Sequence, residues 1–439
     1  MKLENKSFFK LTLPIFLEMF LLMLMGNIDI FMLSRYSEDA VVAASIANQY
    51  IQFSIVMFGF ISSGAAVIVA QYLGASKIEE ARNVSGLAIY LGTAFGVIIS
   101  IVFFLFRTQL LNLMELNEIE LYYSEIFLRL VGGFIFLQAA LSTVNAILRS
   151  YGRTKDTLKI TLFMNTLSAI GNAIFIFGLF GAPILGIFGV AITTNISRAI
   201  ALILALFLLF KQVGNPFVKI KNSKSYIKKI LKIGIPAAGE NLSYTAYQMF
   251  FTMLITAMAT VEMHARVYTR TLNVFMFLAT FAIAQGGQII IGRLMGEKKY
   301  DEIYKKCYEY LKMALIGSLI TSIIFFLLSN ILLGIFTQDE EVLALGRNIF
   351  ALFILLEIGR AFNLILIGSL RATGDVQFPV LVGIFHMWGV GALIGFVLAV
   401  VFNMGVIGIV IATALEELFR GVIMFFRWKS KKWIKKGLV

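Results

Sequence analysis

"LPIFLEMFLLMLMGNIDIFMLS", Leu13 to Ser34, sets the solvent before it sets the fold. As a helix the run is long enough to cross a hydrocarbon core of about 30 Å. It nevertheless carries two carboxylates, Glu18 and Asp29. Charges inside such a run are costly and mark functional candidates. Glu18, Leu22, Met25 and Asp29 are spaced four, three and four apart, so a 3.6-residue period puts them on one helix face. The two carboxylates would then stand about 16 Å apart along the axis.

Composition extends that reading to the whole chain. Its 439 residues are 59% hydrophobic and only 14% charged, further apolar than soluble domains run. Mean hydropathy is +0.88. Twelve apolar spans can be drawn: about 8–34, 44–73, 84–106, 122–148, 157–180, 186–210, 230–258, 266–292, 307–333, 343–369, 378–402 and 405–427. The predicted fold class is an all-α polytopic membrane protein, with the lipid bilayer as its main partner. The N-terminus shows no small-residue cleavage site after a short apolar core, so no removed signal peptide is expected. The lone Cys307 excludes a disulfide framework.

The connections alternate in charge. Lys2, Lys6 and Lys10 precede the first span, Lys77 and Arg82 follow the second, and Arg149, Arg153, Lys155 and Lys159 follow the fourth. Lys211, Lys219, Lys221, Lys224, Lys228 and Lys229 follow the sixth, Arg293, Lys298, Lys299, Lys305 and Lys306 the eighth. The opposite loops are acidic or poor in base: Ser37 to Asp39, Glu115 to Glu120, Asp339 to Glu341. The positive-inside rule puts both termini and the central loop in the cytoplasm of a multi-pass cell-membrane protein. The net charge of +13 therefore belongs to short loops, not to a nucleic-acid surface.

The chain also repeats itself. Pro14 and Glu18 of "LPIFLE" answer to Pro236 and Glu240 of "IPAAGE", 222 positions on (236 less 14). Gly74 answers to Gly296, and Arg149 of "ILRSYG" to Arg371 of "SLRATG", at the same offset. "LGIFGVAITT" from Leu185 meets "MGVIGIVIAT" from Met404 at an offset of 219. These halves are parallel repeats, two pseudo-symmetric six-helix lobes at 1–210 and 230–439, joined by a basic linker at 211–229. Repeated halves in a membrane protein point to transport by alternating access.

Other function classes lack their motifs. There is no GxxxxGK[ST] phosphate loop, no G-x-S-x-G elbow, and His264 and His386 lie in different spans. No enzyme activity, nucleotide, nucleic acid or cofactor is expected, and an ion gradient must supply the drive.

Polar residues inside the spans are unevenly shared. Asn165, Ser168 and Asn172 lie on one face of the fifth span, while the positions 222 later are Met387, Val390 and Ile394. Thr193, Thr194 and Asn195 follow in the sixth. Asp29 meets Phe251 in the repeat, beyond Glu240, Tyr244 and Tyr247. Carboxylate, amide and hydroxyl oxygens suit a hard cation, and a carboxylate alone suits a proton. Asn and Ser can also simply bond across to a neighbouring helix, Glu18 and Glu240 can be packing residues, and Tyr247 and Phe251 core. No basic residue is expected at the depth of Asp29.

These residues together resemble the multidrug and toxic compound extrusion (MATE) transporters. The likeness rests on "LPIFLEMFLLMLMGNIDIFMLSRYSEDAVVAASIANQ", "AQYLGASKIEEAR", "ILRSYGRTKDT", "FIFGLFGAPILGIFGVAITTNISR", "GIPAAGENL" and "SLRATGDVQFP", in that order along nearly the whole chain. The resemblance implies two six-helix lobes in a V around a cavity and export of small amphipathic or cationic organic compounds against a proton or sodium gradient. A lipid-linked saccharide flippase of the same superfamily is the alternative. Pro14, with Pro236 as its repeat, looks like the family's helix-bending proline. Asp29 matches its first-helix ion acceptor and Thr194 its sixth-helix ion-site threonine, so a sodium ion, if used, would sit at Asp29, Asn172 and Thr194. Glu240, Tyr244, Tyr247, Phe251, Arg270 and Asp375 are the expected cavity residues, and a monomer the expected state. The chain departs from the family where Ser168 and Asn172 replace an Asn and an Asp. It departs again at Tyr244, where one branch has a Glu, and at Arg270–Thr271, where a His-Gln pair is common.

Overall fold

The computed structural model describes residues 8–114, 116–217, 223–256 and 258–439. Lys2, Lys6, Glu115, Lys219 and Lys221 lie outside the described residues. The first half is built from α1 (Phe8–Ser34), α2 (Glu38–Gly74), α3 (Ile78–Leu111), α4 (Glu118–Phe127), α5 (Phe136–Ser150), α6 (Thr154–Phe177) and α7 (Gly186–Val213). The second has α8 (Ser223–Thr256), α9 (Thr260–Gly296), α10 (Tyr300–Leu327), the short α11 (Ser329–Gly334), α12 (Glu340–Thr373), α13 (Gln377–His386), α14 (Leu393–Phe396) and α15 (Gly405–Lys429). Part of the segment expected as a linker is thus helical, since α7 reaches Val213 and α8 begins at Ser223. Contacts divide the chain at Gly234, inside α8; Gly74–Ser76 groups with the second unit.

Among the described residues, nine helices are long and apolar enough to cross a bilayer, counting Gln377–Val401 as one. A tenth span is the pair α4–α5, bent by 45° at its break. The remaining long helices, α8 and α15, complete the twelve. They fall short in apolarity because α8 carries Glu240, Asn241 and Gln248, and α15 carries Glu416, Glu417 and Arg420. Elsewhere the outward faces are greasy: Ile98, Ile101 and Leu105 of α3 and Ile316, Ile320 and Leu327 of α10 are all more than half exposed or close to it. Lipid is the solvent that suits such faces.

Helix ends follow their sequence. Asn117 accepts from the Glu120 N–H at 2.9 Å and Glu120 accepts from the Asn117 N–H at 3.0 Å, a capping box opening α4. Asp339 caps α12 through the N–H groups of Glu341 and Val342. The acidic loops are therefore partly cap chemistry. The α4–α5 break is served by neighbours: Phe136 N–H donates to Ser100 Oγ at 3.1 Å, and Asn195 Nδ2 of α7 donates to the Leu130 carbonyl at 2.9 Å. Freed backbone groups at membrane depth need such partners. Pro14 and Pro236, expected to bend their helices, both lie inside unbroken helical segments.

The repeat is visible in the backbone. Ser76 and Lys298, 222 apart, share a positive φ of 60° and 61°. Gly152 and Gly374 share φ of 76° and 95°, and Gly186 and Gly405, 219 apart, φ of 52° and 55°. Side chains repeat too: Arg149 pairs with Glu18 at 3.9 Å in the first unit, and Arg371 with Glu240 at 2.5 Å in the second.

Candidate functional site

In the first unit α1 packs along α6, and α6 along α7. A ladder of polar contacts runs up the α1–α6 seam. Thr157 donates to Glu18 at 2.7 Å and Thr161 at 3.4 Å. Asn165 Nδ2 donates to the Leu21 carbonyl at 3.1 Å. At the top, Asn172 Nδ2 donates to Asp29 Oδ1 at 2.7 Å. The spacing of Thr157, Thr161, Asn165, Ser168 and Asn172 is the helical stripe that faces α1, and all five are buried. Glu18 and Asn165 hold the seam together; Asp29 and Asn172 form its charged element.

The third wall comes from α7. Gly171 lets it approach closely: a Cβ there would stand 2.3 Å from Thr193 Cγ2. Thr194 spends its hydroxyl proton on the Val190 carbonyl of its own helix, at 2.8 Å. Four residues further on, Arg198 brings a positive charge within electrostatic range of Asp29. Its buried Nη1 and the buried Oδ1 of Asn172 have no hydrogen-bond partner among the described residues. The expectation that no base lies near Asp29 is overturned. The signal was present: Arg198 is the one cation within the apolar stretch Gly186–Leu209, one helical turn from Thr194. The oxygen set for a sodium ion is thin, being one carboxylate, an amide oxygen and a hydroxyl. Among the described residues no three His, Cys, Asp or Glu side chains form a group that could hold a metal ion.

The second unit replaces this seam. Tyr247 and Phe251, expected in the cavity, are instead 1% and 0% exposed. They pack edge-on to one another, with centroids 4.7 Å apart. Glycines make the room: a Cβ on Gly391 would lie 2.3 Å from Tyr247 Oη, and one on Gly395 2.5 Å from Phe251 Cε1. Where the first half sets Asp29 against Asn172, the second sets Phe251 against Gly395. Asp375 is likewise not in the cavity. It accepts from Arg427 Nε at 2.7 Å and Nη2 at 3.1 Å, and that guanidinium lies over the Phe378 ring.

A cavity of about 480 Å³ lies in the second unit and is walled by α8, α9, α12 and α15. Glu240, Tyr244 and Arg270 line it as expected. The rest of the lining is Arg266, Asn273, Gln285 and Gln288 of α9, with Arg360, Arg371, Glu417 and Arg420. Arg360 pairs with Glu357 at 2.5 Å, and Arg420 with Glu417 at 2.9 Å and Glu416 at 3.2 Å. Asn273 bridges Glu357 and Arg360, donating to one at 2.9 Å and accepting from the other at 2.9 Å.

Comparison with known proteins converges on one family. The profile described as MatE matches residues 14–175 and 236–397, two blocks set apart by the repeat offset itself. The uncharacterized transporter YisQ of Bacillus subtilis (strain 168) is 42% identical and covers 98% of this chain and 96% of its own. The probable multidrug resistance protein NorM of Thermotoga maritima is 26% identical, over 99% of this chain and 94% of its own. The solved MATE transporter VcmN of Vibrio cholerae, in its bent form, superposes with a TM-score of 0.89 at 19% identity, covering 98% of this chain and 96% of that one. Profile, repeat and twelve-helix fold agree that the chain belongs to the MatE family and is a multi-pass MATE transporter.

Proposed function

We propose that the protein is a cation-coupled antiporter of the cell membrane, exporting small organic compounds by alternating access, with Asp29 as the coupling residue. The contact between Asp29 and Asn172 at 2.7 Å, beside the charge of Arg198, carries this reading. An ionised Asp29 accepts from Asn172 and is attracted by Arg198, which draws α1, α6 and α7 together. A proton arriving from outside removes that charge and its desolvation cost, so the seam repacks and the balance between the two access states shifts. The proton is favoured over sodium because Arg198 already supplies the positive charge a sodium ion would bring. The family's multidrug-resistance members support an organic cargo, and the basic loops support cytoplasmic termini. A flippase of an anionic amphiphile is the second reading, favoured by the arginines of the second-unit cavity.

The test is export from everted membrane vesicles, with proton and sodium gradients imposed separately and with ethidium and pyrenebutyrate offered as cargo. The expected result is proton-driven transport that Asp29→Asn abolishes while the variant still inserts and unfolds at the native temperature. Undiminished gradient-driven transport by Asp29→Asn overturns the coupling role.

A further inference from the structure

Five arginines and two glutamates line the second-unit cavity. Their pairing decides what the cavity can hold. Arg360, Arg371 and Arg420 are each committed to a carboxylate within 3.2 Å. Both lining glutamates, Glu240 and Glu417, are consumed by Arg371 and Arg420. Arg266 and Arg270 face no carboxylate within 4.0 Å among the described residues. Arg266 Nη2 instead reaches Gln248 Oε1, at a long 3.4 Å. The wall thus offers two uncommitted guanidiniums and no uncommitted carboxylate.

Those two guanidiniums stand one turn apart on α9, with Cβ atoms about 6 Å apart at that spacing. Each lowers the other's comfort, since like charges repel across a turn. An anion between them relieves that repulsion, and guanidinium forks match carboxylate and phosphate oxygens two bonds at a time. Further along the same stripe of α9 the wall turns apolar, through Phe277 and Phe281, with Phe353 opposite on α12. We infer that this cavity binds an anionic amphiphile, its carboxylate or phosphate held by Arg266 and Arg270 and its apolar body laid against Phe277, Phe281 and Phe353. The inference names the cargo class of the transporter reading and rests on that reading for its physiological meaning.

The experiment uses the full protein in phosphatidylcholine nanodiscs and a pair of probes matched in all but charge, pyrenebutyrate and pyrenebutylammonium. Binding is read as saturable quenching of tryptophan fluorescence. Pyrenebutyrate is expected to bind at least tenfold tighter than the ammonium compound. The Arg266→Gln/Arg270→Gln double variant should lose at least tenfold in pyrenebutyrate affinity and with it the charge preference; Arg270→Lys should keep the preference. Equal or tighter binding of the ammonium probe to the unaltered protein overturns the assignment, whether or not the variants fold. Retained preference in a folded double variant overturns it as well. Competition by dihexanoylphosphatidate separates the two sources of such an anion. Displacement at a lower concentration than butyrate-type acids assigns the site to a lipid phosphate, the reverse order to a soluble carboxylate, and failure of both to displace the probe sinks the proposal. No gradient is involved, so a failure here leaves the coupling role of Asp29 intact, and a failure of Asp29→Asn leaves this binding intact.

Discussion

Asp29 is a half-buried carboxylate on the α1–α6 seam, hydrogen-bonded from α6 and within the field of a charge on α7. Its amide partner Asn172 donates one hydrogen bond, and its own oxygen has no partner among the described residues. Arg198 adds charge without adding an oxygen. Two substitutions separate proton from sodium chemistry here. Asn172→Asp adds a second carboxylate, and hard cations gather around carboxylate oxygens; the variant is expected to let a sodium gradient drive transport. Arg198→Gln removes the resident cation and should act in the same direction, more weakly. Both are checked by imposing sodium gradients at constant pH on reconstituted protein. Sodium-independent transport in both variants would show that the arginine does not set ion choice.

At the scale of elements, the two halves use one scaffold for two purposes. The Glu18–Arg149 and Glu240–Arg371 pairs tie the same two helices in each half. Beyond them, the seam is polar in the first half and aromatic on glycine in the second. Gly391→Val should therefore cost about 1–3 kcal/mol through overpacking against Tyr247, read as a lower midpoint of thermal unfolding, with the α1–α6 seam untouched. Asp375→Asn should cost about 3 kcal/mol, because removing one member of a buried pair strands the other. Pyrenebutyrate affinity should be unchanged in that variant, since Asp375 ties α15 to the α12–α13 turn and does not line the cavity. A selective loss of binding at native stability would return Asp375 to the cavity.

At the scale of the whole molecule, the prediction concerns orientation. With Cys307→Ser as background, Glu340→Cys should react with a membrane-impermeant maleimide in intact cells, and Ser430→Cys only after permeabilisation. The opposite pattern would invert the topology drawn from the basic loops. The twelve spans, their offsets of 222 and 219, and the α1 and α6 stripes were legible in the sequence. Helical period, bilayer thickness and turn geometry are local constraints that each segment must meet by itself. The partner of Asp29, the commitment of each arginine and the burial of Tyr247, Phe251 and Asp375 were not legible. Contacts such as Asp29 with Asn172 join residues more than a hundred positions apart, and whether an aromatic faces a cavity or a glycine depends on the neighbouring helix. Periodicity within a span determined which residues share a face; only tertiary packing decided what each face meets, because charge pairing and close approach are properties of two helices at once.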